Sequence, residues 1–563
     1  MAILKTFAIT SVLGALAVRY YDGPFSLRQQ TFWISRQSSL LTGTLLFLLQ
    51  VLVYATWAVV LYPKLFSPFR TLPQPSGGSF FMGQSKRVFA ESSGEPMRDW
   101  IETIPNDGLI RYTHMFNRER LLLANPKALA EVLVTKSYEF IKPPQFRQGI
   151  ANILGVGILL AEGDEHKTQR KNLMPAFAFR HTKDLYPVFW SKSRELTNAV
   201  SASIVNAQSA PSKETPGTEE KKHAPNVIEV SGWVSRAALD IIGVAGMGQD
   251  FHALRDPDNE LNKTYRRIFS PSKSAQYLQF AGQFLPLWFV RRLPVKRNDD
   301  IKAASELIKQ TCRDLIAAKK AETARNEKGG RAEVDILSVA LECGGFSDES
   351  LVNQMMTFLA AGHETTASAM SWAIYLLCQH PDIQTRLRSE VRGKLPSIRD
   401  ADAPLSAADI DSCAYLQAVC NEVLRLWPPV GLTFRVAAAD TSILGTFVPK
   451  DTLVIICPWA INRNTALWGA DARDFNPERW LRPGQANKGG ADSNYSFLTF
   501  LHGPRSCIGQ AFAKAEFACL LAAWVGRFEC GFEVEGYVAE IQGGVTAKPK
   551  GGLWVTVKDV EGW

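Results

Sequence analysis

The sequence predicts a mainly α-helical fold with small β-sheets, preceded by an N-terminal transmembrane helix. Beyond residue 79, most of the chain repeats apolar residues at the 3.6-residue period of amphipathic helices. Runs typical of strands are short, as in Leu121–Ala124, Thr452–Cys457 and Leu553–Val557. A chain of 563 residues that is 46% hydrophobic can bury a large core. The helical part therefore has room for a substantial interior.

The transmembrane helix is predicted at residues 40–62. This run has Gln50 as its only strongly polar side chain, and about 20 apolar residues suffice to cross hydrocarbon. Lys64 and Arg70 follow, and basic residues next to a span mark its cytoplasmic side. Prolines in residues 63–78 predict a stiff hinge. The alternative interpretation of the run is a buried core helix.

Residues 1–39 form a separate N-terminal segment whose interpretation stays open. The apolar run Thr6–Val18 follows Lys5 and closes with Ala15-Leu16-Ala17, so it fits a cleaved signal peptide or a second, short or interfacial membrane helix. The cysteine usage of the chain favours retention. Basic residues between the two apolar runs oppose a lumenal connecting loop; they are Arg19, Arg28 and Arg36.

Charge and cysteine content exclude several other classes. The excess of Lys+Arg over Asp+Glu is 63 − 55 = 8 and is dispersed, so nucleic-acid binding is not expected. Nine cysteines without a C-x-x-C pair, none before Cys312, argue against a disulfide framework or a structural zinc site and fit a reducing compartment. Three polar stretches predict surface loops within one domain over residues 79–563: residues 206–226, 322–333 and 484–494.

A decapeptide near the C-terminus carries the most specific chemistry. Residues 500–509 read F-x-x-G-x-R-x-C-x-G, immediately before a helical pattern. Gly503 and Gly509 allow close approach to a flat cofactor. The helix start favours the thiolate of Cys507 and lowers its pKa. Arg505 can pair with an anionic group on the cofactor's edge. An ordinary buried cysteine beside a loop arginine is the alternative.

This decapeptide, which begins at Phe500, resembles the haem-ligand loop of the cytochrome P450 family. The resemblance implies that Cys507 is the axial ligand of the iron of haem b, with Phe500, Gly503, Arg505 and Gly509 around the cofactor. It also implies the cytochrome P450 fold over about residues 73–563.

A second motif lies in a helix predicted to begin at Ser347 or Asp348 and to end before Pro381. Its apolar run is interrupted by A-G-H-E-T-T, residues 361–366. A glycine followed by threonines weakens the backbone ladder and predicts a local bulge that can hold water. An H-E-x-x-H zinc site fails because residue 367 is Ala.

The same hexapeptide is similar to the P450 oxygen-handling motif. By that resemblance the catalytic residues are Glu364 and Thr365, which deliver protons to dioxygen, and Gly362 leaves room for dioxygen. His363 has no assigned role. A structural polar patch on a solvated helix face is the alternative.

Glu422 and Arg425 lie three residues apart on a helix predicted to end at Pro428. The E-x-x-R pattern is weak alone, because Glu322-Thr-Ala-Arg325 matches it within a predicted loop. The first match is followed by P-E-R-W, which resembles another family motif. The resemblance implies a buried structural triad of Glu422, Arg425 and Arg479 that sets the ligand loop.

Haem propionates need cationic or hydrogen-bonding partners when partly buried. Residues 163–177 resemble the family's W-x-x-x-R helix, with His166 in place of the usual Trp and Arg170 one turn further on. Together with Arg435 and Arg505 they are the predicted propionate clamp. A surface position is the alternative for each arginine.

The resemblance implies a membrane-anchored monooxygenase that inserts one oxygen atom of O2 into a lipophilic molecule. Electrons are expected from an NADPH-dependent flavoprotein reductase, since no flavin or dinucleotide motif is evident. We expect the protein in the endoplasmic reticulum membrane with a cytosolic catalytic domain. The reductase is expected to dock near a set of basic residues: Lys167, Arg170, Lys171 and Lys514.

The substrate pocket is predicted from residues 137–160, 269–289 and 429–434, which are rich in apolar and aromatic side chains. Core packing explains these segments equally well. The inserts suggest a fungal enzyme of specialised metabolism, acting on a terpenoid or polyketide. Alternatives are an isomerase or dehydratase on the same fold, which the Glu364–Thr365 pair argues against, and a non-catalytic haem sensor or scaffold.

Overall fold

A 32-residue helix, Asp348–Gln379, runs through the interior, and most other long helices pack against it. This computed structural model describes residues 2–21, 34–209, 223–269, 272–282, 285–326 and 335–563. The mainly helical architecture with small sheets agrees with the prediction from the sequence. The largest apolar core surrounds the central helix, and a second core lies between the largest sheet and its neighbouring helices.

The helices differ widely in length, from one turn to the central helix. In chain order they are α1 (Ala2–Tyr21), α2 (Ile34–Thr56), α3 (Ser85–Ala90), α4 (Glu95–Thr103), α5 (Pro126–Ala130), α6 (Pro144–Leu154), α7 (Gly163–Leu173), α8 (Phe179–Asp184), α9 (Tyr186–Ser209), α10 (Val230–Ile241), α11 (Glu260–Phe269), α12 (Lys273–Ala281), α13 (Leu287–Val290), α14 (Lys296–Asn326), α15 (Ile336–Cys343), α16 (Asp348–Gln379), α17 (Pro381–Lys394), α18 (Ala407–Ser412), α19 (Ala414–Leu426), α20 (Pro458–Ile461), α21 (Thr465–Trp468) and α22 (Gln510–Arg527).

The strands are short and form four small sheets within the described ranges. They are β1 (Leu109–Thr113), β2 (Glu119–Leu123), β3 (Phe140–Ile141), β4 (Val227–Glu229), β5 (Thr433–Ala437), β6 (Thr441–Ile443), β7 (Thr446–Val448), β8 (Leu453–Ile456), β9 (Phe528–Phe532), β10 (Ile541–Gln542), β11 (Lys548–Pro549) and β12 (Trp554–Asp559). The largest sheet has the order β1-β2-β8-β5-β3, with only β2 and β8 parallel. A second sheet has the order β4-β12-β9, and β6-β7 and β10-β11 are hairpins.

The three predicted strands correspond to β2, β8 and β12 within one or two residues. Ser347 caps α16, since its side chain accepts a hydrogen bond from the amide of Ser350. The prediction that Glu322–Arg325 lies in a loop is wrong, because these residues form the last turns of α14. Residues 327–333 of that polar stretch, and residues 210–222 of the polar stretch 206–226, lie outside the described residues.

The N-terminal part is a pair of packed helices. The π-helical residues Trp57–Phe66 continue α2 without a break. Among the described residues, this one continuous helix is long and apolar enough, over Leu41–Phe66, to cross a membrane, and a shorter apolar helix spans Lys5–Val18. Gln50, the polar residue in the longer helix, accepts a hydrogen bond from Thr10 Oγ1 at 2.9 Å and donates one to Ser11 Oγ at 3.3 Å. The two helices therefore satisfy each other's polar groups in an otherwise apolar contact.

Residues 63–78, predicted as a hinge, are held against the following domain. The guanidinium of Arg111 donates to the Pro63 carbonyl at 2.7 Å, and the amide of Arg111 donates to the Pro73 carbonyl at 2.9 Å. Gln84 Nε2 donates to the Ser76 carbonyl at 2.8 Å. These contacts fix the orientation of the apolar helix relative to the domain more firmly than the prolines alone would.

The packing of α1 against α2 predicts a disulfide in the double variant Ala15→Cys/Gly43→Cys. A Cβ atom at Gly43 would lie 3.6 Å from that of Ala15, within the usual Cβ separation of a disulfide, about 3.5–4.5 Å. The full-length protein in membranes, with the exposed Cys343 replaced by Ser, should give linked peptides by mass spectrometry after mild oxidation. The control Leu16→Cys/Gly43→Cys should not, because Leu16 is exposed. Loss of residue 15 from the mature protein would show instead that the segment is cleaved.

Candidate active site

Cys507 lies in a loop between the 3-10 turn Gly503–Arg505 and the start of α22. The loop is closed by the amide of Cys507, which donates to the Phe500 carbonyl at 2.9 Å. Gly503 has φ 78°, and a Cβ atom there would overlap the Leu133 carbonyl. This position therefore requires glycine. Gly509 has an ordinary φ of −88°, and its amide donates a hydrogen bond to the sulfur of Cys507.

Burial raises the pKa of the Cys507 thiol, although the Gly509 amide and the charge of Arg170 oppose the rise. The helix start lowers this pKa through the Gly509 amide, as expected, but in the protein alone desolvation outweighs that contribution. The Cys507 side chain is nevertheless accessible to solvent. A cation at the sulfur would supply the stabilisation that a thiolate needs here.

The middle of α16 has an accessible turn within an otherwise buried helix. Ala361 is exposed, and Gly362 and Thr365 are partly exposed, whereas the neighbouring turns on both sides are buried. The predicted bulge is wrong, since α16 is continuous from Asp348 to Gln379. The Thr365 hydroxyl donates to the Ala361 carbonyl at 2.9 Å in addition to the regular backbone ladder.

Gly362 permits close packing between two elements. A Cβ atom at this position would lie 3.0 Å from Ile242, in the π-helical turn that follows α10. That is closer than most real Cβ contacts, so a larger residue would push the two elements apart. The direction of this contact supports a packing role for Gly362, and it gives no support to the expectation that the glycine makes room for dioxygen.

Glu364 is 3% exposed and lies beside two basic groups. Its carboxylate forms an ion pair with Lys548 of β11 and lies 3.4 Å from His363 Nε2. Burial acts to raise the pKa of Glu364, but His363 and Lys548 outweigh it and hold this pKa at about 2. His363, which had no predicted role, contacts the Leu359 carbonyl at 2.5 Å and packs its ring 4.7 Å from that of Tyr265.

The accessible turn of α16 and the cysteine loop have common neighbours. The Phe177 ring lies 5.2 Å from that of Phe358 in α16, and a Cβ at Gly509 would contact Phe177 at 3.6 Å. Thr366 Oγ1 donates to Glu516 Oε2 of α22 at 2.9 Å. Burial raises the pKa of Glu516 to about 8, against the hydrogen bond from Thr366. The cysteine loop and α16 are thus joined through α22 and Phe177.

Basic side chains gather next to the cysteine loop in excess of acidic ones. Arg505 pairs with Glu162 at 2.5 Å and donates to the Phe140 carbonyl at 2.9 Å. Arg435 is 3% exposed and contacts Phe434 O and Thr433 Oγ1, but it forms no ion pair with a described carboxylate. The members of this basic cluster are Lys142, His166, Arg170, Arg435 and Arg505.

The members of the basic cluster disfavour one another's positively charged forms. Burial and then Arg505 lower the pKa of Arg435 to about 10. Burial, followed by Arg435 and Arg505, lowers the pKa of Lys142 well below its usual range. Burial and then Arg505 lower the pKa of His166 to about 4, so its imidazole is neutral at neutral pH. An anionic group bound among these residues would offset this repulsion.

Arg170 and His166 of α7 are placed differently within the cluster. Arg170 donates to the carbonyl of Ser506 at 2.7 Å and contacts its hydroxyl at 3.3 Å. It therefore holds the residue that precedes Cys507. His166 Nδ1 contacts the Tyr138 hydroxyl at 3.1 Å. Arg170 thus supports the cysteine loop directly, a role that differs from the predicted propionate contact.

Glu422, Arg425 and Arg479 form a fully buried ion triad. Both carboxylate oxygens of Glu422 accept hydrogen bonds from Arg425 at 2.8 Å, and Arg479 Nε donates to Oε1 at 3.0 Å. Trp480 Nε1 donates to Oε2 at 2.9 Å. Arg425 also donates to the Asn462 carbonyl at 2.7 Å. The charges are therefore paired and the donors largely satisfied.

Asn462 connects this triad to the segment that enters the cysteine loop. Its side-chain amide donates to the Arg425 carbonyl and to Thr499 Oγ1, both at 2.9 Å. Its side-chain carbonyl accepts from the amide of Leu498 at 2.8 Å. Phe500 follows directly, with its ring 6.5 Å from that of Phe497. The triad thus positions the chain at the start of the cysteine loop.

The comparisons with known proteins agree with this arrangement. The family model described as Cytochrome P450 matches residues 107–554. The chain is 47% identical over 513 residues to cytochrome P450 monooxygenase sphH of Aspergillus fumigatus, covering 90% of this chain and 91% of that protein. It is 41% identical to cytochrome P450 monooxygenase ALT8 of Alternaria alternata over the full length of both, and 41% identical to FUM15 of Gibberella moniliformis over 91% of both.

The chain belongs to the cytochrome P450 family and is a monooxygenase, an oxidoreductase that uses haem and electrons from a redox partner. The residues present fit haem. The accessible thiol of Cys507 offers an iron ligand. The basic cluster offers partners for propionates, since Arg435 is buried without a paired carboxylate in the described structure.

Several residues of the site were missed in the sequence. Lys142 lies within the segment 137–160 that was predicted to line the substrate pocket, and Glu162 follows that segment closely, but a lone lysine or glutamate carries no motif. Lys548 is more than 180 residues from Glu364 in the chain, so no local pattern predicts their contact. Glu516 follows Cys507 within the predicted helix, and a glutamate inside an apolar helical run was the available signal.

The triad predicts a large loss of stability in Glu422→Gln. Its removal leaves Arg425 buried without a carboxylate and leaves Arg479 with Asp471 alone. Breaking a buried pair in this way typically costs about 3–5 kcal/mol. Glu478→Gln is a matched control in the same segment, because Glu478 pairs with Arg386 at the surface and such pairs contribute about 0–1 kcal/mol. Chemical unfolding followed by tryptophan fluorescence measures both. Equal unfolding midpoints for the two variants would show that the triad does not control stability.

Proposed function

We propose that Cys507 is the axial ligand of haem b and that this monooxygenase inserts one atom of O2 into a lipophilic small molecule. The observation that carries the proposal is the cysteine loop, in which Gly503 is sterically required and the Cys507 sulfur accepts the Gly509 amide. Haem, when bound, supplies dioxygen activation, and a thiolate ligand favours O–O cleavage. Residues of the chain are proposed to hold the haem and to transfer the protons.

Glu364 and Thr365 are proposed to relay protons at the accessible turn of α16. O–O cleavage consumes protons in a site that excludes bulk water, so a hydroxyl and an acid must pass them on. The Thr365 hydroxyl is partly exposed and donates to the Ala361 carbonyl, which leaves its oxygen free to accept a proton donor. Glu364 lies one residue away with its charge held by Lys548 and His363.

The basic cluster is proposed to bind the two propionates. Arg435, Arg505 and Lys142 repel one another in a buried environment, and each propionate would relieve part of that repulsion. His166 is neutral and can still donate one N–H. Arg170 contributes by fixing Ser506, next to the ligand cysteine.

The proposed electron donor is an NADPH-dependent flavoprotein reductase that docks beside α7 and α8. Lys167 and Lys171 are exposed there, next to the exposed apolar side chains of Met174 and Phe179. An open cavity of about 460 Å³ adjoins this surface and is lined in part by Ile508. Lys514, which we also expect at the docking surface, lines the same cavity and donates to Asn421 at 2.9 Å.

A membrane route is proposed for the substrate. In the described parts of residues 269–289, several large apolar side chains are exposed, among them Tyr277, Phe280, Trp288 and Phe289. Exposed aromatic residues on short helices suit a membrane surface. Together with the apolar helix Leu41–Phe66, they support an anchored enzyme on the cytosolic side of the endoplasmic reticulum. The similar proteins are fungal cytochrome P450 monooxygenases. We propose a substrate from specialised metabolism, a terpenoid or a polyketide.

Isotope labelling tests this function. The full-length protein, reconstituted with a reductase and NADPH under ¹⁸O₂, should place one labelled oxygen into a member of a panel of terpenoids and polyketides. Unlabelled product formed without NADPH would show an isomerase or dehydratase, and haem binding without turnover of NADPH and O2 would show a sensor or scaffold.

Thr365→Ala should divert the electrons to hydrogen peroxide and reduce labelled product by roughly 10²-fold, the usual contribution of proton transfer. Thr385→Ala is the matched control, because the Thr385 hydroxyl makes the same bond to the carbonyl four residues earlier, on exposed α17. Peroxide and product are measured per NADPH consumed. Equal ratios in the two variants would remove Thr365 from the relay.

A further inference from the structure

The C-terminal segment that contains Lys548 is docked along one face of α16. Ser368 Oγ and Trp372 Nε1 donate to the Ala547 carbonyl at 2.5 and 2.9 Å. One turn earlier on the same face, Glu364 pairs with Lys548. Positions 364, 368 and 372 are spaced by four residues and therefore lie in one row. The segment is held at three successive turns of the helix.

The same segment forms part of a cavity wall. A small cavity is lined by Gly431, Leu432 and Trp459 on one side and by residues 541–545 and Ala547 on the other. Gly431 and Leu432 belong to a segment predicted to line the substrate pocket. The amide of Ala547 donates to the Pro429 carbonyl at 2.8 Å. Ala547, which lines the cavity, therefore directly precedes Lys548, which contacts Glu364.

The charge of Glu364 depends on its two basic neighbours. The carboxylate is almost fully buried, so burial alone would favour its neutral form. His363 lies on the same helix, while Lys548 comes from β11 and is 28% exposed. Tyr265 of α11 faces His363, and burial raises its pKa well above the usual range, so it stays neutral. Lys548 is therefore the cation here that comes from a separate element, β11.

We propose that Lys548 is a positioning residue for Glu364: the hairpin that carries it is fixed to α16 through Ala547, holds an ammonium against this acid and so sets its protonation. The inference rests on the proposed role of Glu364 in the proton relay. Without the ammonium of Lys548, His363 alone opposes the burial of Glu364, so the pKa of this acid rises and its neutral, proton-donating form becomes more accessible. With Lys548 paired to it, Glu364 is a carboxylate at neutral pH.

Infrared spectroscopy of the full-length haem protein tests the charge state directly. In Lys548→Met, a protonated-carboxyl band should appear at a pH roughly 1–3 units higher than in the wild type, the range expected for loss of a close opposite charge. The band is assigned to Glu364 by its absence from Lys548→Met/Glu364→Gln. Lys548→Arg should restore the wild-type titration. Lys550→Met is the matched control, since Lys550 pairs with Glu540 at the surface two residues away.

A second measurement uses no Lys548 variant. Acylation of Lys548, quantified by mass spectrometry, should be slow in the wild type and severalfold faster in Glu364→Gln, while acylation of Lys550 stays unchanged. Equal Lys548 acylation in the two proteins, or an unshifted carboxyl band in Lys548→Met, would overturn the inference. Neither result would affect the proposed monooxygenase function, which fails only if the wild type does not incorporate oxygen from O2.

Discussion

Pairing of buried charge is the constraint on which this structure depends. Glu422 neutralises Arg425 and Arg479 in the interior, and the resulting triad can occupy only one arrangement because each donor has a fixed partner. Asn462 links the triad by hydrogen bonds to Leu498 and Thr499, just before the cysteine loop. From the other side, Arg170 attaches the loop to α7 and Arg505 attaches it to β3. The position of the Cys507 sulfur therefore depends on ion pairs and hydrogen bonds made by residues away from the sulfur.

The structural triad and the basic cluster differ in whether their charges are paired. The triad is balanced by hydrogen bonds and ion pairs, so it is complete without a ligand. The basic cluster is not balanced, since Glu162 is the carboxylate that pairs with Arg505 while Arg435 and Lys142 have no described carboxylate partner. An unbalanced buried cluster either loses protons, as the lowered pKa values of Lys142 and His166 indicate, or keeps its charge by binding a counter-ion. Haem propionates are the counter-ions that the family membership implies.

Local patterns in the sequence were sufficient for the motifs and insufficient for the contacts between them. The helix capped by Ser347, the strand around Leu453 and the glycine at 503 follow from capping, alternation and backbone conformation, which are local properties. The Lys548–Glu364 pair and the contact of Arg170 with Ser506 are long-range and depend on packing. The raised pKa of the Cys507 thiol also escaped prediction, because desolvation depends on the surroundings of the loop rather than on the loop itself.

The most direct test of the account is the carbon monoxide difference spectrum of the reduced, full-length protein. Wild type should show the red-shifted band of a thiolate-ligated haem, and Cys507→Ser should lose it. Cys343→Ser, which removes another exposed free thiol, should leave the band unchanged. A band at the unshifted position in the wild type, or retention of the shifted band in Cys507→Ser, would contradict the assignment of Cys507 as the iron ligand.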